Sequence, residues 1–128
     1  MSYLAGAFLM LHGLVHLLYA GHSRGIFELR PGLAWPGGSW ALARTFGEAT
    51  TRRIATVACF LAAAAFVAAG LAMLAEQEWW RAAVVGAAAY SSLVFVLLWD
   101  GKAQGLSDQG GIAVLINAAI VVAALVVD

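Results

Sequence analysis

The segment FLMLHGLVHLLYAGH, from Phe8 to His22, sets His12 and His16 four residues apart in an otherwise apolar run. Residues at i and i+4 share one face of a helix, so both imidazoles can point the same way. Two neutral imidazoles so placed can hold one zinc or copper ion. Completing that site takes one or two more ligands, for which Cys59, His22 or Asp100 are the available residues. A haem needs axial ligands on opposite faces of its ring, so the pair could supply only one of them. A chlorophyll-type pigment needs a single histidine. His12 is followed by Gly13 rather than Glu, which removes the HExxH protease arrangement. Three histidines are also too few for the histidine boxes of membrane di-iron enzymes. Set against these cofactor readings is a structural one, in which the rings are hydrogen-bonding links between helices.

The elements that must position these rings follow from composition. The chain has 128 residues, 63% apolar and 11% charged, against about 45–50% and about 25% in soluble domains. A chain this short cannot hide so much apolar side chain from water, so the bilayer is its solvent and an all-α polytopic bundle is expected. A span needs about 20 mostly apolar residues. Four segments qualify, at about 3–20, 54–75, 80–99 and 110–127, in a single transmembrane domain. The first lacks a basic leader and reads as an uncleaved span rather than a signal peptide. Cys59 is the only cysteine, so no internal disulfide forms. No basic cluster interleaved with aromatics suggests nucleic acid.

Arg24, Arg30, Arg44, Arg52 and Arg53 lie between spans one and two, and Lys102 between three and four, whereas the opposite side holds only Arg81. By the positive-inside rule, loops 21–53 and 100–109 are expected in the cytoplasm and both termini outside. Trp79, Trp80 and Trp99 fall at interfacial depth. The loop RPGLAWPGGSW cannot be continuous helix. Ser39 can cap a short helix from Trp40 to about Phe46. Residues 35–47, with Trp35, Trp40, Arg44 and Phe46, therefore read as an interfacial segment or as a plug over the bundle. Arg44, Arg52 and Arg53 can meet lipid phosphates or serve only as topology determinants. WDGKAQGLSDQGG reads as a turn, its glycines too irregular for a phosphate loop.

The polar residues inside the spans gather toward the arginine-bearing side. His16 is expected about 7 Å and His12 about 13 Å from that end of span one at 1.5 Å per residue. Thr56, Cys59, Tyr90, Ser91, Ser92 and Asn117 fall at similar depth, while the other half is almost entirely Ala, Val, Leu, Gly and Phe. An unpaired polar group in lipid costs several kcal/mol, so Asn117, Tyr90 or a serine is expected to pair with the histidines. Runs such as FLAAAAFVAAGLA and VVGAAAYSS let helices approach closely. Four-helix multidrug exporters use an intramembrane Glu; here Glu76, Glu78, Asp100 and Asp108 all lie at span ends or in loops. A histidine-based proton path remains open, because imidazole titrates near neutral pH.

LHGLVHLLYA near the start and LLWDGKAQG…IAVLINAAIVV near the end resemble a group of small four-span bacterial integral membrane proteins of uncharacterised function. Those proteins open with an HGL-x-HL helix and carry a Trp-Asp-x-Lys-x-x-Gly turn before a last helix containing Asn. The resemblance covers most of the chain and implies a four-span fold in a bacterial membrane, and no reaction. Taken together, the expectation is a small non-enzymatic accessory or scaffold subunit in the bacterial inner membrane, docked to other membrane subunits or to its own copies. The alternatives are a bundle holding a metal, tetrapyrrole or small ligand through His12 and His16, and a proton or small-solute transport component.

Overall fold

The computed structural model describes residues 2–127. Four helices, α1 (Ser2–Ser23), α2 (Ala43–Leu74), α3 (Trp80–Leu98) and α4 (Ile112–Val126), run up and down in chain order. There is no strand among the described residues. All four helical segments are long and apolar enough to cross a membrane, the fourth when counted from Ser107. The all-α four-span bundle expected from composition is the fold observed.

Helix boundaries differ from the sequence reading in an instructive way. Helix α1 continues past Ala20 to Ser23, where Gly25 (φ 75°) stops it. The amide of Ile26 bonds to the carbonyl of Gly21, and that of Gly25 to His22, each at 3.0 Å. This is the paired bond pattern of a glycine-terminated helix. The extra turn moves His16 and His12 deeper than the expected 7 and 13 Å, to about 10 and 17 Å from the helix end. Helix α2 begins well before residue 54. The turn Ala43–Phe46 is separated from the span by Gly47 (φ 79°, ψ 168°), and the Thr51 hydroxyl bonds to the Gly47 carbonyl at 2.7 Å. Thr50, Arg52 and Arg53 are polar, but they sit on a helix end that continues beyond the apolar stretch. Before α4, residues Ser107–Gly111 form a wide π turn that breaks at Gly110 (φ 98°).

The first loop folds onto the bundle and closes the end of α3. Ser39 Oγ donates to the Leu97 carbonyl, Trp40 Nε1 donates to Val96 O at 2.7 Å, and the Trp40 amide donates to Trp99 O at 2.9 Å. Carbonyls at a helix C-terminus lack helical partners, and this loop supplies them. Ser39 also accepts the Leu42 amide at 3.1 Å, but it closes a turn ahead of the helix rather than capping one from Trp40. Helix α2 starts at Ala43, with Leu42 as its N-cap and no side-chain cap bond. Trp35 is the plug, 1% exposed, whereas Trp40 and Phe46 lie on the surface at 56% and 50%.

Helices α1 and α2 pack through glycine. Gly6 faces Gly70, and Gly13 faces Ala63 one heptad further along each antiparallel helix. A Cβ on Gly13 would stand 2.6 Å from Phe66 Cβ and 3.1 Å from Ala63 O; one on Gly70 would stand 2.8 Å from Gly6 O. Small residues are how backbones approach where lipid provides no hydrophobic drive between helices. Two apolar clusters fill the interior. One, around Leu9, Phe66, Val84 and Ile120, lies toward the termini. The other, around Ala20, Trp35, Cys59, Phe95 and Leu98, lies toward the loops.

The close approach is directly testable. Gly13→Ala must push backbone atoms apart and should destabilise the bundle by about 1–3 kcal/mol, the range for overpacking. Nothing lies within 4 Å of a Cβ on Gly86, so Gly86→Ala should be neutral or stabilising by up to about 1 kcal/mol through helix propensity. Denaturation of both variants in detergent micelles measures the contrast.

Candidate functional site

Between the two apolar clusters lies a layer of hydrogen-bonding side chains contributed by α1, α3 and α4. His16 Nδ1 stands 3.1 Å from the carbonyl oxygens of both His12 and Gly13. A carbonyl only accepts, so Nδ1 carries the proton. In the neutral ring Nε2 is then the acceptor, and the Ser91 hydroxyl donates to it at 2.6 Å. Ser91 Oγ in turn accepts from Asn117 Nδ2 at 3.0 Å, and Ser92 Oγ accepts from the same amide at 3.1 Å. The remaining amide atom, Asn117 Oδ1, accepts from His12 Nε2 at 2.7 Å. With both rings neutral, the donors run in one direction, from His12 through Asn117 and Ser91 to His16 and the α1 backbone.

The layer is buried and enclosed by rings. His12, His16, Ser91 and Asn117 are 7%, 1%, 0% and 1% exposed. The Phe66 ring meets His12 edge-on at 4.8 Å and stacks on His16 at 5.4 Å, and Phe95 lies 5.6 Å from His16. Neither aromatic was marked by the sequence reading, although Phe66 is the single ring inside the alanine run of α2. The one layer atom without a partner among the described residues is His12 Nδ1.

Other polar residues expected at this depth do different work. Tyr90 turns toward α2 and donates to Ala58 O at 3.1 Å, so it does not pair with a histidine. Thr56 donates to Arg52 O within its own helix at 2.9 Å. Cys59 is fully buried in the loop-side apolar cluster. His22 fastens the first loop: Nε2 donates to Trp35 O at 2.7 Å and Nδ1 accepts the Leu29 amide at 3.2 Å. Asp100 is engaged by Gln109, whose Nε2 donates to Oδ2 and whose Oε1 accepts the Asp100 amide, each at 3.0 Å. Gln109 is 6% exposed, a buried amide that the turn reading passed over. Trp35 packs against Tyr19, His22 and Phe95, and its Nε1 is a buried donor without a hydrogen-bond partner.

For metal binding, the fold does not gather Cys59, His22 or Asp100 around His12 and His16. No group of three His, Cys, Asp or Glu side chains with ligand geometry occurs among the described residues. A metal on the two Nε2 atoms would displace Asn117 and Ser91. For nucleophilic chemistry, Ser91 and His16 have the hydroxyl–imidazole distance of an activated serine, with carbonyls orienting the far ring nitrogen. Neither residue lines either of two cavities on the surface. One, of about 570 Å³, is an apolar groove between α3 and α4 walled by Phe95, Trp99, Leu106, Ile112 and Leu115. The other, of about 460 Å³, lies at the loop-side end of α1. The chain matches no family model, no curated protein and no solved structure.

A double-mutant cycle isolates the interhelical bond. His12→Ala and Asn117→Ala should each destabilise the bundle, with a coupling of about 0.6–1.7 kcal/mol, the span measured for such bonds within membranes. Asn117→Ala and Thr56→Ala share no partner and should add within about 0.5 kcal/mol. Unfolding in detergent or by steric trapping reads both cycles.

Proposed function

We propose that this chain is a small non-enzymatic accessory or scaffold subunit of a bacterial inner-membrane assembly. Its polar layer acts as an internal lock that holds α1, α3 and α4 in fixed register. The observation that carries this reading is the closure of the hydrogen-bond chain: His12, Asn117, Ser91 and His16 direct their bonds at one another and at the α1 backbone. The Ser91–His16 pair has the distance of a nucleophile and its base, but both are buried and neither surface cavity reaches them. Ser91 Oγ is buried and already bonded to His16 and Asn117.

Basic residues support the orientation proposed from the sequence, with both termini outside and the loops 21–53 and 100–109 cytoplasmic. The four-span resemblance drawn from the HGL-x-HL helix and the Trp-Asp-x-Lys turn supports a bacterial membrane. Docking is proposed through the outward side of α3, where Ala82, Gly86 and Ala89 are exposed. Small residues turned to lipid allow a second helix to approach closely. The alternative, a metal, tetrapyrrole or small ligand held through His12 and His16, is favoured by one atom, the unengaged Nδ1 of His12. A proton path would use the same hydrogen-bond chain, which ends at backbone carbonyls on the His16 side.

Extraction of native membranes in mild detergent tests the proposal. The chain is expected to co-purify with a stoichiometric second subunit or a second copy. Gly86→Leu should abolish that retention while leaving the unfolding midpoint unchanged or raised, as for Gly86→Ala. A fluorophosphonate probe should leave Ser91 unlabelled. A monomeric protein carrying bound metal or a visible absorption band that His12→Ala removes would overturn the scaffold reading in favour of a cofactor bundle, and labelled Ser91 would overturn it in favour of an enzyme.

A further inference from the structure

The cavity at the loop-side end of α1 differs from the apolar groove between α3 and α4, because charged residues line it. Arg24, Glu28 and Arg52 contribute to its wall, together with Phe27, His22 and Ser23. Its volume of about 460 Å³ lies within the range of small-ligand sites, about 300–1,000 Å³.

Local structure explains why these residues border one space. The glycine-terminated end of α1 fixes Arg24, whose amide still bonds to Ala20 O at 3.0 Å. The chain then reverses at Gly25, and the Leu29 amide is tied back to His22 Nδ1, which sets Glu28 beside the helix end. Arg52 arrives from α2, its Nε on Glu48 Oε1 at 3.3 Å.

The lining groups divide into those already bonded and those free. His22 uses both ring nitrogens, and Ser23 Oγ donates to Tyr19 O at 2.9 Å. Arg24 and Glu28 form no ion pair among the described residues, and Arg52 keeps its terminal amino groups without a partner there. Two guanidinium groups are the preferred donors for phosphate oxygens, which they meet in bidentate fashion. A carboxylate on the same cavity repels a purely anionic ligand and attracts an ammonium.

We infer that this cavity binds a phosphoethanolamine-type zwitterion, with the phosphate on Arg24 and Arg52 and the ammonium on Glu28. The same chemistry occurs in the headgroup of phosphatidylethanolamine and in soluble phosphoethanolamine. The cavity lies at the loop-side ends of two helices long and apolar enough to span a membrane, α1 and α2, and that position favours the lipid. The site is independent of the scaffold reading, since it uses none of the polar-layer residues.

The test titrates the purified full-length protein in detergent with dihexanoyl phosphatidylethanolamine, dihexanoyl phosphatidylglycerol and phosphoethanolamine, followed by calorimetry or native mass spectrometry. The ethanolamine lipid should bind about five-fold more tightly than the glycerol lipid, the scale of one exposed ion pair. Glu28→Gln should bring that ratio close to one. Arg24→Ala and Arg52→Ala should each weaken the ethanolamine lipid about tenfold, the loss of one charge-assisted bond, with the unfolding midpoint unchanged. Soluble phosphoethanolamine binding as tightly as the lipid assigns the site to a solute; binding at least tenfold weaker assigns it to the bilayer. Equal affinity for the two lipids in the unmodified protein, or affinities that the three substitutions leave unchanged, overturns the inference.

Discussion

A hydrogen-bond donor below the headgroups has no water to turn to, so the chain must provide its acceptor. Asn117 is where that constraint is met most fully. One side-chain amide accepts from His12 and donates to Ser91 and Ser92, joining α4 to both α1 and α3. The rest of α4 is Ile, Ala, Val and Leu, and such a helix can rotate or slide in lipid with little change in energy, since its neighbours and the acyl chains are equally apolar. The amide removes that freedom. It admits one rotation of α4, at one depth, against partners fixed on two other helices. His16 does the same for α1 and α3 through Ser91, so the three helices are tied in a closed set of pairs.

Helix α2 is held by a different device. Thr51 and Thr56 direct their hydroxyls to their own helix backbone, and the polar tie it receives from α3 is the Tyr90 hydroxyl on Ala58 O. What fixes α2 against α1 is shape, with Gly6 and Gly13 on one side and Gly70 and Ala63 on the other. The two devices meet at Phe66. Its Cβ abuts Gly13, while its ring covers both imidazoles. The heptad seam therefore positions the ring that covers the polar layer.

Much of this was legible in the sequence because the signals were local or one-dimensional. Hydropathy located four spans, i to i+4 spacing put two imidazoles on one face, and depth counting brought Asn117 and Ser91 to their level. Depth says nothing of direction around a helix axis, however, and so Tyr90, one residue from Ser91, turned out to face α2. Boundaries were missed where charge and span overlap. Arg52 and Arg53 read as loop, yet a helix can carry guanidinium groups at its end once it has left the hydrocarbon. The plug reading reached Trp35, but the packing of Trp35 against His22 was illegible for another reason. Their burial depends on the loop returning to the carbonyl end of α3, a contact between residues about 60 positions apart (Ser39 with Leu97, |i−j| = 58). The pairing of Gln109 with Asp100 likewise needs the break at Gly110, which no hydropathy pattern encodes.

The contrast between the two polar regions bears on how chemistry is sought in a membrane bundle. A serine 2.6 Å from an imidazole would mark an active site in a soluble cleft, where water and substrate reach the pair. Here the same distance joins two buried groups of a hydrogen-bonded layer, where a low dielectric strengthens the bond. Geometry between two protein groups cannot separate these cases; the state of their remaining valences can. In the layer, the Ser91 hydroxyl and both amide hydrogens of Asn117 are engaged, and those groups have nothing left to offer a ligand. At the loop-side end of α1, by contrast, two guanidinium groups and a carboxylate share a cavity with bonding capacity unused. In this fold the polar residues that attract notice in the sequence bond to one another across the helices, and unused bonding capacity lies with charged residues at the rim.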